Sequence, residues 1–130
     1  MSAVGSNIPH DSAVTHVTGQ STFIDDIVPA RNELYVDFVG SHVAHGKVTS
    51  IDLSEAHRIS GVVRLFTADD VPGHNEFGPI IKDELLLVPV GGTVTYVGAP
   101  VVLIAADSRA ALRAARKAVK LSIEPIAPIF

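Results

Sequence analysis

Residues 85–106 read LLLVPVGGTVTYVGAPVVLIAA, twenty-two residues without a charged side chain. A run of that length is sufficient to cross a bilayer as a helix, so its internal punctuation decides the fold. Pro89, Gly91, Gly92, Gly98 and Pro100 interrupt it, and breakers at that density are incompatible with a regular helix. Between them stand Thr93, Val94, Thr95, Tyr96 and Val97, residue types that fit a pleated, half-buried surface. The run therefore reads as strand, turn, strand, turn, strand in a buried sheet, not as a membrane span. Its last piece, PVVLIAA at 100–106, reads as a fully apolar strand.

Working outward, DSRAALRAARKAVK at 107–120 predicts a helix capped by Asp107 or Ser108. Ala111, Leu112, Ala115, Ala118 and Val119 recur at helical spacing, and small alanines let such a helix lie close to a sheet. LSIE at 121–124 predicts a last strand before PIAPIF. Upstream, ELYVDFVGS at 33–41 alternates Leu34, Val36 and Phe38 against Tyr35, Asp37 and Val39, the period of a half-buried strand. KVTSIDL at 47–53 is a second strand, SEAHRIS at 54–60 a short helix with Ser54 as N-cap and Gly61 as stop, and VVRLF at 62–66 a third strand. Residues 67–84 carry two prolines and two glycines and predict a loop that opens with a helical turn after Thr67. Residues 1–12 are polar and aperiodic and predict an extended arm, leaving 13–130 as one folded domain without repeats or linkers.

A chain of 130 residues that is 47% hydrophobic and 18% charged is unusually apolar, since about 25% charged is ordinary. That balance suits a domain that packs against a partner chain or a neighbouring domain. A net charge of −4 argues against a nucleic-acid footprint. With no cysteine the chain supplies neither a disulfide nor a thiolate for zinc or an iron–sulfur cluster. The start, MSAVGSNIPHDS, lacks the basic and apolar regions of a signal peptide, so a cytoplasmic location is expected.

Several constellations invite a chemical reading. In SHVAHGKVTSID at 41–52, His42, His45 and Asp52 have the residue types of a two-histidine, one-carboxylate metal site. In a strand, residues three apart point to opposite faces, so the spacing favours a corner between strands over a ligand set. His10, His16, His57 and His74 add no ligand spacing. The pairs Asp25-Asp26 and Asp69-Asp70 have the composition of an acid–base dyad, yet each precedes a proline turn, where aspartate bonds its own backbone. Arg109, Arg113, Arg116 and Lys120, with Lys117 beside them, make a basic helix stripe that reads as a solvated face, its later members complementing the helix dipole. Neither a phosphate-binding glycine loop nor a G-x-S-x-G elbow occurs. No catalytic, cofactor-binding or metal residue is assigned on this reading.

Taken in order, HDSAVTHVTGQSTFIDDI, ELYVDFVGSHVAHGKVTSIDLSEA, GVVRLFTADDVPGHNEFG, VTYVGAPVVLIAADS and AARKAVKLSIEPIAPI resemble the opening domain of the molybdenum-binding part of xanthine dehydrogenases and aldehyde oxidases. The marks are Gly19, Asp25-Asp26, Ala44-His45, Ile51-Asp52, Gly61-Val62, Thr67-Ala68, Pro72-Gly73 and Gly98, and PGHNEFG leans toward xanthine dehydrogenase. Two departures stand out: Gly46 where alanine is usual, and Ala99 where glutamine is common. The resemblance implies an α+β fold, the α/β hammerhead, with a small mixed sheet and two helices. It implies that Ala44-His45-Gly46 is scaffold and not a molybdenum ligand.

The resemblance further implies that the molybdopterin–molybdenum cofactor and a catalytic glutamate lie in later domains of the molybdenum-binding subunit. [2Fe-2S] clusters and FAD would lie in other domains or subunits, all of them partners of this domain. The parent reaction would be hydroxylation of a purine carbon, as in purine catabolism, or oxidation of an aldehyde, with this 130-residue piece non-catalytic by itself. Ile80, Ile81 and Lys82 would stand at the mouth of the substrate funnel. The alternative is a free-standing, non-catalytic interaction module, since hammerhead elements are similar to biotinyl and lipoyl domains, although no lysine sits in a carrier-type hairpin here. Substrate, assembly and the role of the basic stripe stay open at this stage, and the isolated chain is expected to self-associate, as its apolar ending EPIAPIF suggests.

Overall fold

The computed structural model describes residues 4–127, so the apolar residues 128–130 lie outside the described chain. In chain order the elements are α1 (Ala13–Val17), β1 (Tyr35–Gly40), β2 (Gly46–Asp52), α2 (Ser54–His57), β3 (Val62–Phe66), β4 (Glu76–Phe77), β5 (Glu84–Leu85), β6 (Thr93–Val94), β7 (Pro100–Ala106), α3 (Arg109–Ala118) and β8 (Lys120–Pro125). Single 3-10 turns occupy Ile24–Asp26 and Ala68–Asp70. The class is α+β, as expected. Among the described residues the strands form three antiparallel sheets, β1-β7-β3, β6-β2-β8 and β4-β5, in place of one mixed sheet, and α1 joins the two expected helices.

The chain divides into two units, Met1–Arg31 and Asn32–Phe130. In the first, α1 buries none of its residues, so polar bonds hold the segment. The Thr15 carbonyl accepts the N–H groups of Gln20 and Ser21 at 2.8 and 3.0 Å. Asp26 accepts the Phe23 N–H at 3.0 Å, the turn role expected of that acidic pair.

In the second unit, β7 is the middle strand of its sheet, and its Val101, Val102 and Ile104 are 0% exposed. Burying each such side chain contributes roughly 1.5–3 kcal/mol. α3 covers one face of this sheet and packs on α2 as well, through the expected stripe of Ala111, Leu112 and Ala115. Ser108 is its cap, accepting the Ala111 N–H at 3.2 Å. The helix ends at Ala118, short of the expected Lys120, because Lys120 already pairs with Asp52 in the β2–β8 ladder.

Two further details differ from expectation. Ser54 does not cap α2; it is the first helical residue, and its N–H and hydroxyl both bond the Asp52 carboxylate. The strand expected through Val97 stops at Val94, because β2 offers β6 partners only at Gly46 and Lys47. Gly98 instead donates its N–H to the Ser41 carbonyl at 2.8 Å, while Ala99 accepts from Ser41 at 2.9 Å. Both departures from the family pattern sit in tight surroundings. A Cβ at Gly46 would come within 2.7 Å of the Glu124 carbonyl and Ile123 Cγ2, so alanine there requires its neighbours to give way. Ala99 is 2% exposed.

Candidate functional site

The segment expected as an irregular loop, 67–84, folds its second half into a hairpin. β4 pairs with β5 at Glu76↔Leu85 and Phe77↔Glu84, leaving residues 78–83 as the tip. Gly78 makes the turn possible: its φ is 154°, and a Cβ there would run into the Ile81 carbonyl. The tip carries Ile80 at 94% exposure and Ile81 at 69%, with Lys82 also exposed. Two isoleucines standing in water beside an ammonium make an apolar prong with one charge.

A two-residue ladder is marginal by itself, and Asn75 extends it. Its side-chain amide donates to the Leu87 carbonyl at 2.6 Å and accepts the Leu87 N–H at 3.0 Å. Its own carbonyl accepts the Leu86 N–H at 2.8 Å. The half-buried asparagine thus does what a further pair of strand residues would do. Sequence reasoning gave Asn75 only its place in the PGHNEFG mark and not this role, since its partner lies 12 residues on.

Beside the base of this hairpin, the uncovered face of the β1-β7-β3 sheet opens a cavity of about 480 Å³ whose walls include Phe38, Phe66, Pro72, Leu86, Leu87 and Leu103. Phe38 and Phe66 both pair with Leu103 in register, so the three share that face. Polar groups at the rim are already engaged. Asp70 accepts the Thr67 N–H at 2.9 Å and an Arg64 N–H at 3.3 Å, and the Arg64 guanidinium lies over the Phe66 ring at 4.9 Å. The Thr67 N–H, and after it Arg64, hold the Asp70 carboxyl below the usual aspartate value. This is the turn role expected of Asp69-Asp70.

Several of the remaining sequence candidates have partners within the fold. His45 Nδ1 lies 3.2 Å from the Ala127 carbonyl, and the His45 carbonyl accepts the Ile126 N–H at 3.0 Å, so this histidine binds the strand end after β8. Asp52 bonds Ser54, which lowers its pKa, and lies 3.9 Å from the Lys120 ammonium. Among the described residues, no three His, Asp or Glu side chains come together as a metal-binding group. Three members of the basic stripe are engaged within the fold: Arg109 over the Tyr35 ring at 5.1 Å, Arg116 on Asp37 at 2.9 Å, and Lys120 near Asp52. Among the described residues no helix is long and apolar enough to cross a membrane.

Two three-stranded antiparallel sheets, with α3 laid across one of them, define an α/β hammerhead domain. Residues 18–126 match the family described as "Aldehyde oxidase and xanthine dehydrogenase, a/b hammerhead domain", and the chain belongs to that family. It is 40% identical over 126 residues to aldehyde oxidase 4 of Mus musculus, covering 96% of this chain and 9% of the relative. It is also 40% identical over 126 residues to xanthine dehydrogenase/oxidase of Gallus gallus, covering 97% and 9%. Among solved structures it is similar to the aldehyde oxidoreductase from Desulfovibrio desulfuricans ATCC 27774, with a TM-score of 0.81 and 31% identity over 95% of this chain and 15% of that one. It is similar too to the reconstituted CO dehydrogenase from Oligotropha carboxidovorans, with a TM-score of 0.78 and 26% identity over 94% and 15%. The chain thus spans 9% of the length of these curated relatives.

Proposed function

We propose that this chain is the hammerhead piece of a xanthine dehydrogenase-like molybdenum hydroxylase acting on purines or aldehydes in the cytoplasm, and that its task is to brace the cofactor-bearing domains and to shape the substrate entrance. On this reading 13–130 make up one domain with 1–12 as its arm, residues 1–3 and 128–130 lying outside the described chain. The family match, which runs from residue 18 across the division at Arg31, supports taking the early segment with the rest. No residue of this domain is, on this reading, a ligand of the molybdopterin–molybdenum centre. The cofactor, the [2Fe-2S] clusters and FAD belong on this reading to the remainder of the enzyme. The uncovered apolar face around Phe38 and Leu103 suits packing against that remainder.

The observation that carries the entrance role is the exposed prong Ile80-Ile81-Lys82 on its hairpin. A flat heteroaromatic substrate sheds water against apolar walls and is oriented by a few polar groups. Such contacts act on substrate and transition state alike. In the complete enzyme, Ile81→Ala with Lys82→Ala therefore raises KM several-fold and leaves kcat nearly unchanged. An unchanged KM and unchanged inhibitor affinity would make the prong structural only.

A further inference from the structure

We infer that Asn75 is a positioning residue for the prong, an inference that rests on the reading of the prong as part of the substrate entrance. The tip reaches the body of the domain through two stalks, Glu76–Phe77 and Glu84–Leu85. Two paired residues alone would let a hairpin of this length splay and twist. The Asn75 side chain closes the gap beyond them with two bonds to the backbone of one residue, Leu87, at 2.6 and 3.0 Å, and the Asn75 carbonyl accepts a third from the Leu86 N–H at 2.8 Å. The second stalk is thereby tied to a fixed point. Leu87 is 7% exposed, so the residue that Asn75 grips cannot drift without moving buried atoms.

The chemistry requires an amide. Asn75 must present a donor and an acceptor side by side to mimic a neighbouring strand, and aspartate keeps only the acceptor. Facing the Leu87 carbonyl, a carboxylate would repel where the amide donates. Loss of the clamp leaves Ile80, Ile81 and Lys82 chemically intact but spreads them over many orientations, and a wall that must be ordered on binding contributes less to affinity.

The test uses the full-length enzyme with Asn75→Ala, Asn75→Asp, the Ile81→Ala/Lys82→Ala pair, and the combination of Asn75→Ala with that pair. Backbone hydrogen exchange in Asn75→Ala is expected to speed by about fivefold or more, confined to residues 76–87, as losing roughly 1 kcal/mol of local hydrogen bonding implies. KM rises several-fold at nearly constant kcat, and adding Asn75→Ala to the tip pair raises KM no further, because both act through the same prong. Should Asn75→Ala fail to fold, Asn75→Asp is expected to show the same KM response, because a carboxylate cannot donate to the Leu87 carbonyl. A KM response to the tip pair with none to either Asn75 variant overturns the positioning role alone. Fully additive effects also overturn it, since Asn75 would then act elsewhere. No KM response in any variant overturns the entrance reading and this inference together.

Discussion

The Arg116 guanidinium lies 2.9 Å from the Asp37 carboxylate, although the two residues are 79 positions apart. The contact ties α3 to the edge strand β1 from the covered side of the sheet, and it explains why an acidic residue occupies a strand position that faces a helix. Both side chains keep substantial solvent contact, at 56% and 32% exposure, so the pair orients more than it stabilises.

A double-mutant cycle with Asp37→Ala and Arg116→Ala is expected to return a coupling of only about 0.2–1 kcal/mol, shrinking as salt is added. Denaturation midpoints at low and high ionic strength measure it. A coupling several times larger, or one indifferent to salt, would mean that the pair is effectively desolvated.

Ala115 is 0% exposed where α3 meets the sheet. Ala115→Leu must force helix and sheet apart and is expected to destabilise the domain by about 1–3 kcal/mol, with Ile104→Ala costing about 2–5 kcal/mol by leaving a void. Urea titration reads both. A neutral Ala115→Leu would show that the helix has room to spare.

Asp70 has its pKa lowered by the Thr67 N–H and by Arg64. A carboxylate depressed in the folded state contributes stability above its unfolded-state pKa and loses that contribution as pH falls through the lowered folded value. Wild type is therefore expected to exceed Asp70→Asn in stability near neutral pH, the gap closing below about pH 4. Parallel melting curves across that range test the sign, and a gap that widens in acid would contradict it. Asp52, held down by Ser54, should behave alike.

The uncovered sheet face predicts the behaviour of the 130-residue chain alone. It is expected to bind a hydrophobic dye and to self-associate at high concentration, and Phe38→Asp should reduce both, since Phe38 is 41% exposed on that face. Sedimentation of a strict monomer that binds no dye would count against this.

The strand PVVLIAA at 100–106, the strand VVRLF at 62–66 and the alanine stripe of α3 were legible because each carries its signal, an apolar run or a helical spacing, within a few residues. The rejection of a membrane span rested on breakers equally local, and the ordered marks from Gly19 to Gly98 were enough for the hammerhead family. Helix and strand limits were less legible. Val119 ends α3 in extended geometry because Lys120 finds Asp52 across the ladder, a partner that helix propensity does not see.

The hairpin at 76–85 was beyond sequence reasoning, since two-residue strands are too short to show alternation and the Asn75 clamp is made to a peptide 12 residues away. The same limit applied to β1. Its alternation separates Val36 and Phe38 from Asp37 and Val39, but alternation states only that two faces differ, not which of them a helix will cover. The arrival of α3, with Arg116 reaching Asp37, decided that: it covered the face with the acid and left the phenylalanine outside. Local periodicity sets the elements because it arises from neighbouring residues along the chain, whereas the choice of buried face and the bracing of the prong depend on groups that meet only once the chain has folded.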